Sequence, residues 1–210
     1  NEGDHYQPLE EQTNNGAALY YKGHLNPVDL SAYYFYKNYF KNATAPDAET
    51  HVVGARANVA LPGNDFHFIS EFAYQFGKVG NNDRRSWGGY SRLEYNIGRY
   101  LYVLDQLSIG GIYLSGDDPS TPTVEGFDPM WNRWTPWGES YVYTLGAETG
   151  KISYWSNIGS INAGFKATLA PNVHLNANYM HLMAMQLHPG SAFTSGGGKT
   201  RGDLYYARIS

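Results

Sequence analysis

The sequence predicts an all-β protein, the wall of an antiparallel up-and-down transmembrane β-barrel with nine strands. Two observations lead to this prediction. Segments of about ten residues alternate apolar and polar side chains, as strands do when one face meets lipid and the other a lumen. The connections also alternate between short and long, which is typical of membrane barrels. The predicted strands are residues 16–24, 30–40, 51–61, 66–76, 87–98, 106–116, 158–169, 173–185 and 203–210.

Each predicted strand has one tight end and one loop end. Short turns at 25–29, 62–65, 99–105 and 170–172 follow the odd-numbered strands. Longer loops at 41–50, 77–86, 117–157 and 186–202 follow the even-numbered strands. A soluble β-sandwich has no need of this polarity, whereas a membrane barrel has short periplasmic turns and longer extracellular loops.

The alternation is clearest in the third, fourth, fifth and seventh strands. In the third strand, Gly54, Arg56 and Asn58 share one face. The other face is apolar and consists of Val53, Ala55, Ala57, Val59 and Leu61. In the fourth, Phe and Tyr at even positions oppose His67, Glu71 and Gln75. The second strand is aromatic on both faces, and adjacent glycines blur the sixth, so these two registers are the least defined.

Composition excludes several other classes. The chain has 24 Gly, 19 Tyr and no Cys, and no apolar run approaches the roughly 18 residues of a transmembrane helix. Without Cys there is neither a disulfide scaffold nor a thiolate metal site. A formal charge of −4 argues against nucleic acid as a partner. No G-x-S-x-G element occurs and the seven His are scattered, so we expect neither an enzyme nor a cofactor.

The odd strand number bears on domain organisation. Single-chain bacterial barrels close with an even number of strands, and open sheet edges are not viable in lipid. We therefore expect residues 1–210 to be one outer-membrane barrel domain and a fragment of a larger barrel, its C-terminal half. The alternative is a complete ten-stranded barrel with a further strand within 139–154.

Charges on the inward faces of the strands suggest a function. The inward faces carry six cations and only two carboxylates. The predicted pore-lining residues are Lys22, Lys37, Arg56, Glu71, Arg92, Glu94, Lys166 and Arg208. Fixed positive charge in a confined channel raises the local concentration of anions. The sequence therefore predicts an anion-passing lumen. The alternative is that these charges only brace the barrel, for example Arg92 with Glu94 or Glu71.

Three segments carry a family resemblance. They are "YLSGDDPSTPTVEGFDPMWNRWTPWGESYVYT" from Tyr113, "KISYWSNIG" from Lys151 and "GKTRGDLYYARI" from Gly198. Together they resemble the C-terminal half of alginate-export-type outer-membrane porins, over about residues 106–210. The resemblance implies an eighteen-stranded barrel in the bacterial outer membrane, with an electropositive pore for an acidic polysaccharide such as alginate or its oligomers.

The resemblance leaves cargo and partners open. The expected partners are the lipid bilayer, lipopolysaccharide, an anionic polysaccharide or small anionic solute, and other periplasmic or outer-membrane proteins. A rival hypothesis is a plugged structural or partner-binding barrel whose extracellular loops carry the function.

The long loop and one histidine pair are further candidates. Four carboxylates could supply oxygen ligands to Ca²⁺ without EF-hand spacing, and these are Asp117, Asp118, Glu125 and Asp128. Asp128 and Pro129 could begin a short helix. Trp131, Trp134 and Trp137 are predicted aromatics of the loop or pore mouth. His67 and Glu71 share an inward face, so we expect them to form a hydrogen-bonded pair.

Overall fold

The nine predicted strands form one antiparallel sheet. A computed structural model describes residues 14–40, 46–61, 63, 65–98, 103–130, 156–187 and 198–210. In these residues every strand pairs with its sequence neighbours, in the order β1 to β9. The strands are β1 (Asn14–Leu25), β2 (Val28–Tyr39), β3 (Ala48–Ala60), β4 (Phe66–Val79), β5 (Asn82–Asn96), β6 (Leu104–Leu114), β7 (Ile158–Ala170), β8 (Val173–Met183) and β9 (Thr200–Ile209). The all-β, up-and-down prediction is confirmed. The described part of the chain has no helix long and apolar enough to cross a membrane.

The strict alternation of short and long connections was wrong at one position. The loop predicted over 77–86 is a two-residue turn at 80–81, because β4 runs to Val79 and β5 begins at Asn82. Polar and charged residues in 77–86 resemble a loop in sequence, but they extend the pairing of β4 with β5. Gly77 is opposite Arg84, and Lys78 is opposite Asp83. The other connections at this end, 40–47, 115–157 and 184–199, are longer than those at the opposite end. We call the end of the sheet with the longer connections the loop end, and the opposite end the turn end.

The two faces of the sheet differ in chemistry. On one face, Val53 is opposite Tyr74 and Phe68 is opposite Leu93. This apolar face exposes large side chains along most of the sheet, among them Tyr21, Phe66, Phe72, Phe76, Trp87, Ile109, Ile161, Phe165, Tyr179 and Tyr205. The other, polar face follows the same ladders one residue out of phase, with Arg56 opposite Glu71. Period-two patterning therefore predicted the faces correctly.

The buried core lies on the polar face at the loop end. Leu114 and Ile158 are buried there, with Ile112 and Phe127 packed against them. Phe127 belongs to residues 115–130, which follow β6 and fold back over the sheet. We call residues 115–130 the inserted segment. Its backbone continues the sheet locally, because Val124 pairs with Arg84 in a parallel bridge.

Candidate functional site

All eight predicted pore-lining residues lie on the polar face. The ladders connect them across seven of the nine strands, since Lys22 is opposite Ser31, Ser31 is opposite Arg56, and Arg56 is opposite Glu71. At the turn end, Gln106 is opposite Lys166, Lys166 is opposite Asn176, and Asn176 is opposite Arg208. Strand periodicity was sufficient to place these side chains on one surface.

The two predicted carboxylates are held by neighbouring donors. Tyr33 donates its hydroxyl proton to Glu71, with the oxygens 2.7 Å apart. Glu94 is 8% exposed and lies 2.8 Å from an Arg92 guanidinium nitrogen. The bracing pair Arg92–Glu94 therefore forms as the sequence suggested. Gln106 also donates to Glu94, over 3.3 Å.

The predicted pairing of His67 with Glu71 was wrong. Both residues are on the polar face, but the nearest carboxylate oxygen to His67 belongs to Glu94, at 3.9 Å from Nδ1. Four residues along a strand separate two side chains by about 13 Å. Glu94 is directly opposite His67 on β5, so the cross-strand neighbour is nearer than the residue on the same strand.

Several cations have no comparable partner. Within the part of the chain that the structure describes, Lys22, Arg56, Lys166 and Arg208 form no ion pair with a carboxylate. Arg84, Asp29 and Asp105 also belong to this face and were not assigned from the sequence. The face then carries seven Lys and Arg (22, 37, 56, 84, 92, 166, 208) and four acids (29, 71, 94, 105). Lys37 and Arg84 are buried at the loop end, which leaves five cations and four acids on the rest of the face, a difference of one positive charge among the described strand residues.

The turn end of the polar face contains a cavity whose lining includes two cations and the Asp105 carboxylate. Its volume is about 330 Å³, and Lys166, Arg208, Asn176 and His174 are among its lining residues. Thr168 donates its hydroxyl proton to Asp105 over 2.8 Å, and its oxygen lies 3.1 Å from Nδ1 of His174. Because that hydroxyl proton is used, Nδ1–H of His174 is the donor to the Thr168 oxygen.

The inserted segment covers the loop end of the polar face through a buried polar network centred on Gln75. The Gln75 amide donates to the Asp128 carbonyl oxygen over 2.7 Å, and its carbonyl oxygen accepts the Asp128 amide proton over 2.8 Å. Ser86 donates to the same Gln75 oxygen. Gln75 is 1% exposed, so each bond is protected from competing water.

Two cations reinforce this attachment. Lys37 donates to the Met130 carbonyl oxygen over 2.8 Å, and Arg84 donates to the Gly126 carbonyl oxygen over 3.2 Å. Arg84 also lies 4.0 Å from the Asp128 carboxylate. Lys37 is on the polar face as predicted, but it is only 1% exposed. It therefore fastens the inserted segment and does not line an open lumen, which corrects its predicted role.

The four candidate calcium ligands are not gathered together. In the described residues no group of three or more acidic or histidine side chains could hold a metal ion. Asp117 accepts the Glu125 amide proton, and Asp118 accepts two hydrogen bonds from Ser120. These bonds lower the pKa of the Asp118 carboxyl. The carboxylates thus shape turns of the inserted segment, and the expected Ca²⁺ site is not formed.

Asp128 does not begin the expected helix. Its carboxylate accepts the Met130 amide proton over 2.7 Å, but Met130 has a φ of 56°, which is left-handed and incompatible with a helix start. Trp131, Trp134 and Trp137, like the possible strand within 139–154, lie outside the described residues.

Sequence reasoning missed Gln75, Arg84 and Tyr33 as site residues. Gln75 and Tyr33 looked like ordinary strand positions, and Arg84 was assigned to a loop. For Gln75 the inward periodicity of the fourth strand was an available signal, but Tyr33 lies in a strand that is aromatic on both faces and Arg84 lay in a predicted loop. Their partners, however, lie 53, 42 and 38 positions away in the chain, so local pattern carried no information on the contacts.

A comparison with known families accords with this geometry. A family model described as alginate export matches residues 6–184, which is most of the chain. No curated protein matches the sequence.

Proposed function

The chain belongs to the alginate-export family, and from that membership we propose that it forms the wall of an outer-membrane channel for an anionic polysaccharide, alginate or its oligomers. The proposal involves no catalytic step and no cofactor. In the proposed orientation, the apolar face contacts lipid, the polar face lines the lumen, and the loop end is extracellular.

Exposure of the apolar face supports the membrane assignment. Phe72 is 52% exposed, Ile109 58% and Ile161 60%. Soluble monomers rarely expose a contiguous apolar patch larger than a few hundred Å². In a bilayer the same surface replaces water contacts with acyl chains, and the polar ladder faces an aqueous interior. Lipid and lipopolysaccharide are accordingly the proposed partners of this face.

The observation that carries the anionic cargo is a set of four cations on the polar face, Lys22, Arg56, Lys166 and Arg208, that form no ion pair with a carboxylate among the described residues. Glu94 forms an ion pair with Arg92 and Glu71 accepts the Tyr33 hydroxyl proton, whereas Arg56, Lys166 and Arg208 form no ion pair and project toward the proposed lumen. Unpaired cations on a confined wall attract anions because their field is concentrated by the low-dielectric surroundings. A polymer with many carboxylates would meet such cations along its path.

Neutralising three of these cations tests the proposal. In a planar bilayer across a salt gradient, we expect the intact protein to prefer anions. We expect the triple variant Arg56→Gln, Lys166→Gln, Arg208→Gln to lower the anion-to-cation permeability ratio by about threefold or more, because the local anion concentration follows the wall charge.

The matched control removes two cations from the other face. Lys78 and Arg85 are exposed and lie on the apolar side of the β4–β5 hairpin. Lys78→Gln with Arg85→Gln should leave the reversal potential of the intact protein unchanged. Cation preference of the unaltered protein would overturn the proposed anionic cargo. If both variants change the reversal potential equally, surface charge in general, and not the lumen wall, sets the selectivity.

The inserted segment favours a second candidate, a plugged barrel that anchors or binds a partner. Residues 115–130 fold over the polar face through the buried bonds of Gln75 and Arg84, so they narrow any passage at the loop end. A plugged barrel would pass negligible current while its loops are intact. A current appearing only after release of the inserted segment would favour this candidate over an open porin.

A further inference from the structure

An aromatic ladder lies on the polar face of β1 and β2. The rings of Tyr20 and Tyr33 are parallel within 1°, with centroids 6.0 Å apart, and Phe35 stacks on Tyr33 at 4.8 Å. Tyr20 is 47% exposed. Aromatic rings on the apolar face have lipid as their natural environment, but these three share the surface that carries the cations.

The middle ring of the ladder is held rigidly. Tyr33 lies over Gly54, where an added Cβ would collide with the ring. Its hydroxyl donates to Glu71 on β4, over 2.7 Å. The glycine beneath the ring and the hydrogen-bonded hydroxyl together restrict the position of the ring. Tyr20 extends this surface into open space.

Two cations border the ladder. The Lys22 ammonium lies over the Tyr20 ring, 5.4 Å from its centroid. Arg56 on β3 and Lys22 on β1 lie at the same level of the sheet, with Ser31 of β2 between them. The backbones of β1 and β3 are therefore about 10 Å apart. Neither cation forms an ion pair with a carboxylate among the described residues. The surface thus combines stacked aromatic rings with two positive charges and with the Glu71 carboxylate that Tyr33 holds.

We propose that Tyr20, Tyr33, Lys22 and Arg56 form a binding platform for a uronate residue of an acidic oligosaccharide. The C–H groups on one side of a pyranose ring form a weakly positive apolar face, which packs on the negative face of an aromatic ring. The carboxylate of the same sugar would pair with the ammonium or the guanidinium. This platform deepens the proposed function and rests on it.

The test measures how oligomannuronate blocks the ion current of the intact protein in a planar bilayer. Tyr20→Leu keeps an apolar side chain but removes the aromatic face. We expect it to weaken the block by about three- to tenfold, because the sugar ring loses its aromatic contact, and this change corresponds to about 0.7–1.4 kcal/mol. Lys22→Gln should weaken it to a similar extent. Tyr21→Leu is the matched control, because Tyr21 is 62% exposed on the opposite face.

The outcomes separate this inference from the proposed function. If the unaltered protein prefers anions and oligomannuronate blocks the Tyr20→Leu and Tyr21→Leu proteins equally, the platform is overturned and the proposed channel stands. Equally strong block by a neutral mannan oligomer would overturn uronate recognition. If the unaltered protein prefers cations or passes no current, oligomannuronate binding is measured by calorimetry in detergent. Binding weakened by Tyr20→Leu alone then supports the platform, and no binding overturns it.

Discussion

Replacing Gln75 with leucine is expected to release the inserted segment from the polar face and to raise the conductance of the intact protein. The substitution leaves the amide and carbonyl groups of Asp128 and the hydroxyl of Ser86 buried without their present partner. Each such loss costs about 1–3 kcal/mol. Release of the segment returns these groups to water, so the attached state should lose about 3–9 kcal/mol relative to the released one.

Hydrogen exchange measures this release directly. The amide protons of Phe127 and Asp128 are bonded to Ser115 and Gln75, and their exchange should accelerate by on the order of a hundredfold or more. Gln106→Leu is the matched control, since Gln106 lies on the polar face at the turn end and bonds to Glu94 and Asn96. Unchanged exchange of Phe127 in the Gln75→Leu protein would show that other contacts hold the segment.

Replacing Gly77 with alanine is expected to reduce the free energy of unfolding by about 3 kcal/mol or more. Gly77 has a φ of 141°, a backbone conformation that side chains disfavour. A Cβ there would also collide with the carbonyl oxygen of Glu49 on β3. Because both obstacles are backbone, relief requires the β3–β4 pairing to shift at the loop end.

A urea titration in lipid vesicles checks the prediction, with tryptophan fluorescence as the signal. Gly198→Ala is the control, because an added Cβ at Gly198 meets nothing within 4 Å. The control should change stability by less than about 0.5 kcal/mol. Equal stability of the two variants would refute the assigned backbone constraint at Gly77.

The strands and their faces could be predicted from sequence because each strand carries its own evidence. Alternation along β3 and β4 separates residues such as Val53 and Phe72 from Arg56 and Glu71 without knowledge of their neighbours. Sheet geometry then brings equivalent faces together, since side chains alternate with period two in every strand. The eight charged residues were therefore assigned to one surface correctly.

The partners that those side chains contact depend on the pairing register between neighbouring strands. Glu71 accepts from Tyr33 and Glu94 from Arg92, whereas the sequence suggested His67 as a partner for Glu71. Spacing within one strand cannot reveal which residue of the next strand lies opposite. The two-residue turn at 80–81 was missed for a related reason, because charged residues that resemble a loop are stable in a strand when a neighbouring segment pairs with them.

By itself, the sequence determined the all-β class, the nine strands, their up-and-down order and the cationic surface, because these follow from short-range periodicity and the chemistry of each face. Only the tertiary structure decided that residues 115–130 lie on that surface, that Lys37 is buried beneath them, and that Tyr20 and Tyr33 form a ladder beside Lys22 and Arg56. These arrangements depend on where distant parts of the chain meet, and burial together with hydrogen-bond satisfaction selects among the possible meetings.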